Sequence, residues 1–270
     1  MMKLRIDIVK RNREIWFSLT LFFFIAFAYF CFVANYVLYF QETQALFVFS
    51  REFLSLRLEK PGGLLEYAGK FLTQFYASRV AGSLVAAFFL TLPALSICYI
   101  NRKLIKGASV SFPLMFLVPS LMMVMQSNYY HLMEYNLGFN LVLLLFLFAV
   151  SSGKLWRKVA VLLLFPALWY VSGGYSLIFA GMYLVYILFT ENKRNSLIIA
   201  GLLITVAGAT YLIFSRLLFL EPPANIIFYP LPFLENSAYI AAFAVLVLFI
   251  VLYPLISRAL AGLSSGKEKA

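Results

Sequence analysis

The sequence predicts an all-α fold, a polytopic bundle of transmembrane helices, and three observations lead to this prediction. Of the 270 residues, 63% are hydrophobic and only 12% are charged, and the mean hydropathy is +0.91. A soluble domain of this size is roughly 45–50% apolar and about 25% charged. The apolar residues also form long runs without strand-like alternation. Because a backbone in lipid must pair its polar groups internally, such runs indicate helices rather than a β-barrel.

Eight apolar runs predict eight membrane spans within one transmembrane domain that covers residues 1–270. We place the spans at about 15–40, 80–100, 108–125, 137–151, 157–171, 175–190, 195–215 and 237–257. The first run is too long for the apolar core of a signal peptide, so it is predicted to be an uncleaved span. Cys31 and Cys98 fall inside spans and are predicted to be buried, without a disulfide between them.

The distribution of charge predicts the orientation. Most of the 22 basic residues lie at the two termini and in the even-numbered connections, so both termini are predicted to face the cytoplasm of a bacterial inner membrane. Most of the 11 acidic residues lie on the other side, which suggests a polar functional region at the outer face. The net charge of +11 is thereby explained by topology. Nucleic-acid binding is not expected, because no basic, aromatic-interleaved surface is long enough to form a groove.

The connection at residues 41–79 is long and amphipathic. Pro61-Gly62-Gly63 divides it into two halves, because this sequence cannot continue a helix. Each half has an apolar stripe at helical spacing: Leu46, Phe49, Phe53 and Leu56 in the first, Leu64, Tyr67, Phe71 and Phe75 in the second. The pattern predicts two amphipathic helices on the outer membrane surface. The alternative is two helices that cap the bundle and keep their charges in solvent.

The fourth to sixth spans are short for a bilayer, and polar residues follow at their outer ends. Irregular polar backbone at membrane depth requires burial in protein or access to water, so we expect a wet cavity that opens outward. Helix tilt or local thinning of the bilayer is the alternative. The last outer connection contains four prolines, at positions 222, 223, 230 and 232, and is either a lid on this cavity or a loop in the headgroup layer.

Several strings of the sequence carry a family resemblance. They are YFQE at 39–42, PGGL at 61–64, FLTQFY at 71–76, and WY at 169–170 followed by SGG at 172–174. They resemble an uncharacterised family of bacterial polytopic membrane proteins, of Bacteroidetes type, that carries a domain of unknown function. The resemblance covers most of the chain and implies no activity.

A weaker resemblance concerns architecture. A first span that starts in the cytoplasm, an outer segment of two surface helices and a bundle of spans are similar to the membrane glycosyltransferases of the C-type fold. This resemblance implies a polyprenyl-phosphate-linked sugar as substrate and acidic residues at positions matching Glu42 and Glu134. Gln41-Glu42 stands where an acidic pair containing Asp is common in that fold.

The chemistry of such a transfer identifies candidate residues. A carboxylate must accept a proton or hold a metal, a role for Glu42 and Glu134, and cations must hold the leaving phosphate. Arg79 and Arg216, at the outer membrane boundary, are candidate phosphate-binding residues, although arginines near span ends also snorkel. His131 and Glu134 share a helix face if their stretch is helical, but further ligands are lacking, so no metal site is predicted and the cofactor is left open.

Two other functional classes remain open. One is a non-catalytic membrane subunit or scaffold of an envelope assembly, which is consistent with the lack of a strict catalytic motif. The other is a transporter, which is disfavoured because the spans carry almost no charges at mid-membrane and no inverted repeat is visible. Membrane lipids are expected partners in every case.

Overall fold

The computed structural model describes residues 2–105, 112–151, 155–232 and 236–267, and all regular secondary structure in these ranges is helical. The α-helices are α1 (Met2–Ala28), α2 (Asn35–Gln44), α3 (Arg51–Leu58), α4 (Gly63–Thr73), α5 (Arg79–Leu104), α6 (Phe112–Gln126), α7 (Met133–Val150), α8 (Leu155–Ser172), α9 (Tyr175–Thr190), α10 (Lys193–Ile213), α11 (Pro223–Phe228) and α12 (Ser237–Lys267). The all-α prediction is therefore confirmed.

Five stretches of the described chain are long and apolar enough to cross a membrane. They are Arg13–Val33, Arg79–Leu104, Met133–Val150, Lys193–Leu218 and Ser237–Leu260. Seven of the predicted spans each coincide with one helix, and the first covers α1 and α2. However, α6 and α9 are shorter apolar helices and α8 is not among the five candidate stretches, so the number of eight spans stays a prediction. The orientation of the termini also stays a prediction. The predicted start of the third span, at residue 108, lies outside the described residues.

The first predicted span is one apolar run but not one helix. A π-helical turn, Tyr29–Val33, separates α1 from α2. Arg79, at the start of α5, donates from Nε to the carbonyl oxygen of Cys31 in this turn, and its guanidinium lies 5.0 Å from the centre of the Phe32 ring. Irregular turns leave backbone carbonyls without their usual partners, so the arginine satisfies one of them.

The core of the bundle is formed around α5 and α7. Buried side chains such as Leu90 and Ile97 of α5 and Phe139 and Phe146 of α7 belong to one continuous apolar cluster. Cys31 and Cys98 are both buried, as predicted, and they are not joined in a disulfide. Residues outside this cluster on the long helices expose large apolar side chains, which is the arrangement that a surrounding lipid phase requires.

Backbone hydrogen bonds bring connecting segments together at one end of the bundle, which we call the loop end. The N–H group of Gly62 donates to the carbonyl of Tyr170 at 2.8 Å, and the N–H group of Gly174 donates to the carbonyl of Tyr229 at 2.8 Å. The first, fifth and seventh connections between the predicted spans, all of which the sequence assigns to the outer side, therefore meet here. The pairing satisfies polar backbone groups of irregular segments, as an apolar environment requires.

The outer segment contains two helices, but they differ from the predicted ones. Residues 45–50 are not helical, so placing Leu46 and Phe49 on a helix was wrong; α3 begins only after Ser50, whose hydroxyl accepts from the N–H group of Phe53 at 3.0 Å. Helix α4 contacts α7 and α8 through its polar and small residues, such as Glu66 and Gly69. Its predicted apolar stripe faces away from the bundle. The location of both helices at a membrane surface stays a prediction.

Gly62 gives a test of this packing. Its φ is +80°, and a Cβ atom there would lie 2.6 Å from Cδ of Pro230. We expect Gly62→Ala to lower the free energy of unfolding by about 1–2 kcal/mol from backbone strain alone, with a further loss from the overlap. Thermal denaturation in detergent micelles measures the change.

Gly201→Ala is the matched control, because a Cβ atom there meets nothing within 4 Å. Alanine is favoured over glycine inside a helix by about 1 kcal/mol, so this variant should melt at or above the wild-type temperature. Equal melting temperatures of the Gly62→Ala variant and the wild type would contradict the close packing of Gly62 against Pro230 at the loop end.

Candidate functional site

A cavity of about 230 Å³ lies at the loop end. Its walls come from the end of α2, from α4, from the start of α7 and from the last connection. The polar side chains in the wall are Gln44, Glu66, Lys70, Thr73, Glu134, Tyr135 and Tyr229. The sequence predicted an outward cavity among the fourth to sixth spans, but of these helices only α7 lines this cavity. The Ser172–Gly174 turn is bonded to Tyr229 and is not part of the lining.

Helix α4 supplies one wall because its polar residues share one face. Glu66, Lys70 and Thr73 follow one another at a spacing of four and three residues, which places them on one side of a helix. Gly69 lies between them and lets α4 approach the first turn of α7: a Cβ atom at Gly69 would lie 2.7 Å from the backbone nitrogen of Glu134. The close approach brings Glu134 and Lys70 to the same cavity.

The carboxylate of Glu66 is bound by four partners. Its Oε1 lies 2.5 Å from Nη1 of Arg57 and 3.2 Å from Nζ of Lys70. Its Oε2 lies 3.1 Å from Nζ of Lys60 and accepts a hydrogen bond from the hydroxyl of Tyr229. Both carboxylate oxygens are therefore fully engaged. Three cations surround one anion, so the group, which we call the Glu66 cluster, carries an excess of two positive charges.

The ionisation states in the Glu66 cluster follow from its contacts. Burial acts to raise the pKa of Glu66, but the hydrogen bond from Tyr229 and the three neighbouring cations together hold that pKa below its usual 4.5. Burial and the adjacent carboxylate raise the pKa of Tyr229 well above its ordinary range. Tyr229 therefore stays protonated and donates its hydrogen bond to Glu66. The ammonium of Lys60 lies 4.0 Å from the centre of the Tyr229 ring, where a cation–π interaction forms.

Glu134 has a different role in the cavity. It lies in the first turn of α7 and is only 4% exposed, yet its carboxyl group faces the cavity. Among the described residues, no hydrogen bond or ion pair engages this carboxyl group. Because Glu66 is saturated, Glu134 is the lining carboxyl group that is free to meet a ligand, and Lys70 is the ammonium group that shares the cavity with it.

The structure does not bring the other three predicted site residues into this cavity. Glu42 is half-buried near the end of α2, two residues before Gln44, which does line the cavity. Arg79 is held by the π-helical turn of the first span, and Arg216 is exposed on a second π-helical turn after α10. Of the predicted set, only Glu134 lines the cavity. The roles assigned to the four residues remain predictions.

Sequence reasoning missed the Glu66 cluster. The spacing of Glu66 and Lys70 was visible as an ion pair four residues apart, but an amphipathic surface helix was expected to turn such charges to water. Tyr229 gave no signal, since it is 163 residues away from Glu66 in the chain. The useful signal was that the face opposite the aromatic stripe of α4 contains Gly69, whose lack of a side chain permits helix contact.

His131 belongs to a buried hydrogen-bonded chain rather than to a metal site. It precedes α7, so it does not share a helix face with Glu134. Its Nδ1 lies 2.6 Å from the hydroxyl of Tyr239 and its Nε2 lies 3.1 Å from Oδ1 of Asn136. Because an amide oxygen only accepts, Nε2 carries the proton and Tyr239 donates to Nδ1. Burial lowers the pKa of His131 to about 4, so the imidazole is neutral at pH 7.

The chain of donors continues towards the first span. The amide of Asn136 donates to Oε1 of Gln126, and Nε2 of Gln126 donates to Oε1 of Gln41 at 2.7 Å. Gln41 in turn donates to the backbone carbonyl of Asn128 at 2.9 Å. These bonds connect the end of α2, the α6–α7 connection and the start of α12. They fix the helix ends beside the cavity, and in an apolar interior a fully satisfied network of this kind makes the arrangement rigid.

The lowered pKa of Glu66 predicts a pH-dependent stability. A carboxyl group with a lowered native pKa stabilises the fold above its ordinary pKa, and this contribution is lost as the pH falls through the native value. We expect Glu66→Gln to cost roughly 1.5–3 kcal/mol at pH 7, because charged hydrogen bonds are lost and three cations are left without their anion. The difference in melting temperature between wild type and variant should shrink below about pH 4.5.

The exposed Glu59, in the turn between α3 and α4, provides the control. Glu59→Gln should melt like the wild type at every pH. If the difference between wild type and Glu66→Gln stayed constant from pH 7 to pH 3, the ion pairs of Glu66 would not be the source of the stabilisation.

Comparison with known proteins places the chain within a family. No curated protein and no solved structure matched it. A family model, described as a family of unknown function (DUF6057), matches residues 11–269. This confirms the predicted resemblance to an uncharacterised domain family. The five span-forming stretches make the chain a membrane protein, and the match over nearly its whole length makes it a member of the DUF6057 family of unknown function.

Proposed function

We propose that this protein binds a polyprenyl-phosphate-linked sugar at the loop end and transfers the sugar, as a glycosyltransferase-like enzyme of C-type architecture at the outer face of a bacterial inner membrane. The observation that carries the proposal is that the free carboxyl group of Glu134 and the ammonium of Lys70 face one cavity at the end of a membrane-embedded bundle. A transferase for such a substrate needs one group of each kind, close together.

The roles of the two residues follow from the bonds that change. The oxygen of an acceptor hydroxyl forms a bond to the anomeric carbon while its proton passes to the ionised carboxylate of Glu134. The bond from the anomeric carbon to the phosphate oxygen breaks, and its electron pair leaves with the phosphate. Lys70 neutralises the charge that develops on that oxygen, supported by the positive excess of the Glu66 cluster.

The size of the cavity is consistent with a headgroup rather than a whole lipid. Pockets for drug-sized ligands have volumes of roughly 300–1,000 Å³. The cavity has about 230 Å³, so a sugar or a phosphate fits inside and a polyprenyl chain does not. The chain of the substrate would have to lie outside the cavity, in the surrounding bilayer.

The other three predicted residues lie outside the cavity and would have secondary roles. Glu42 would act as a second carboxylate only if the end of α2 moved, since Gln44 and Ala45 of the same segment already line the cavity. Arg79 and Arg216 would hold lipid phosphates at the membrane boundary. Both are exposed, and Arg79 is in addition engaged by Cys31 and Phe32.

A second candidate function is a non-catalytic membrane subunit of an envelope assembly. The saturation of Glu66 favours it, because a carboxylate that binds three cations and a hydroxyl group has the form of a structural clamp between segments. Under this function the cavity would have no chemical role.

Substitution of Glu134 separates the two functions. A general base contributes about 10²–10⁴-fold to a rate, so Glu134→Gln should reduce sugar transfer by at least about 100-fold while the protein remains folded. Lys70→Arg should retain most of the transfer, since a cation is kept. Transfer is measured in membranes as incorporation of labelled sugar from a polyprenyl-phosphate-linked donor.

Glu52→Gln, at an exposed acidic residue in the first turn of α3, is the control and should leave transfer unchanged. Thermal denaturation of each variant tests folding independently. Undiminished transfer by Glu134→Gln would reject the catalytic role, and an assembly that forms with Glu134→Gln but not with Glu66→Gln would favour the structural function.

A further inference from the structure

Helix α4 separates two different surfaces. Glu66, Lys70 and Thr73 on one side line the cavity. On the other side Phe71 and Phe75 point away from the bundle, with 37% and 42% of their surfaces exposed. Lys70 and Phe71 are adjacent in the chain. The polar cavity and the exposed apolar side of α4 are therefore close to each other.

The aromatic side of α4 is part of a larger surface, which we call the aromatic surface. It consists of Phe47, Phe49, Phe53, Tyr67, Phe71 and Phe75. The ring of Phe47 is at its centre, with ring-centroid distances of 4.9 Å to Phe49, 5.0 Å to Tyr67 and 5.6 Å to Phe71. Phe49 is 77% exposed. These rings pack on one another: Phe47, Phe53 and Tyr67 are half-buried, and Phe49, Phe71 and Phe75 are exposed.

Exposure on the membrane-spanning helices is explained by lipid around the bundle, but the aromatic surface requires a separate explanation. Neither α3 nor α4 is a candidate membrane span. A contiguous exposed apolar patch marks an interaction site, and helices with one apolar and one charged face lie in the interface of a bilayer. The flanking residues Leu46, Val48 and Leu56 are also more than half exposed, which extends the apolar area.

The cations of the Glu66 cluster border the aromatic surface. The ring of Phe53 lies 5.0 Å from the guanidinium carbon of Arg57 and 6.0 Å from Nζ of Lys70. At the cavity, Ala45 is part of the lining and Phe47, two residues later, is the centre of the aromatic surface. The cations of the Glu66 cluster thus lie directly beside the aromatic surface. A lipid phosphate at the cations could therefore extend its hydrocarbon chain onto the aromatic rings.

We propose that the aromatic surface binds the hydrocarbon chain of a membrane lipid whose phosphate headgroup is held at the cavity by Lys70. The inference rests on the proposed function for the identity of the headgroup. It adds the location of the chain, outside the cavity and along α4, and the route of entry, laterally from the bilayer over the α4 edge. A phosphate ester of a long-chain alcohol is the chemical class that fits both surfaces.

Spin labels test where the aromatic surface lies. Cys31 and Cys98 are first replaced by Ala, and nitroxide labels are attached to Phe49→Cys, Phe75→Cys and the control Glu59→Cys in phosphatidylcholine–phosphatidylglycerol nanodiscs. We expect labels at positions 49 and 75 to collide with oxygen and to be shielded from a water-soluble nickel chelate. The label at the exposed position 59 should show the opposite behaviour.

Either of two results would overturn the inference. Labels at positions 49 and 75 that meet the nickel chelate as readily as position 59 would place the aromatic surface in water. Labels shielded from both oxygen and the chelate would show that protein, such as a second copy of the chain, covers it.

Binding measurements distinguish this inference from the proposed function. The double variant Phe49→Ala, Phe71→Ala should bind a long-chain polyprenyl phosphate at least tenfold more weakly than wild type and inorganic phosphate equally well. Lys70→Gln should weaken both. Phe88→Ala, at an aromatic residue that is 53% exposed on α5, is the matched control and should change neither.

The outcomes have separate meanings. Unchanged lipid binding by the aromatic double variant overturns the chain site, whatever Lys70→Gln does. Unchanged binding of both ligands by Lys70→Gln, together with weakened lipid binding by the aromatic variant, overturns the headgroup site and supports the chain site.

Discussion

The loop end depends on the ion pairs of Glu66. One carboxylate joins the end of α3 through Arg57, the turn after it through Lys60, α4 through Lys70 and the last connection through Tyr229. Without this anion the three cations would repel one another at short range, and the last connection would lose its attachment to α4. A buried charge is tolerated only when its partners satisfy it, so the cluster determines where these four segments lie.

The backbone imposes a second condition at the same place. Gly62 and Gly173 adopt positive φ angles, and space for a side chain is lacking at both, because Pro230 lies against the one and the carbonyl of Tyr229 against the other. These close approaches allow the irregular segments to pair their own backbone groups, and Trp169 adds a bond from its indole nitrogen to the carbonyl of Ile226 at 3.0 Å. Irregular backbone can lie near hydrocarbon only when it is paired in this way.

The sequence predicted the features that depend on composition and spacing, and missed those that depend on tertiary contact. Hydropathy was sufficient for the helices, and helical spacing grouped Tyr67, Phe71 and Phe75 on one face. Helical spacing does not show whether a helix face contacts water, lipid or protein. The charges opposite the aromatic stripe were therefore expected in water, whereas Glu66 is buried in the structure. Glu134 was identified from the resemblance to the C-type fold, as an acidic residue in a later outer connection. Its neighbours in the cavity, Lys70 and Tyr229, belong to distant segments that periodicity cannot bring together.

Charge balance connects the Glu66 cluster with the proposed transfer. Once Glu134 is ionised, as the proposed transfer requires, the cluster and Glu134 together carry one positive charge, since three cations oppose two carboxylates. A sugar-linked phosphodiester carries one negative charge, which balances it. Transfer places a proton on Glu134, which leaves two positive charges, and releases a phosphate monoester with about 1.5–2 negative charges at neutral pH. Opposite charge is thus matched before and after the step, and an apolar surrounding favours such a match.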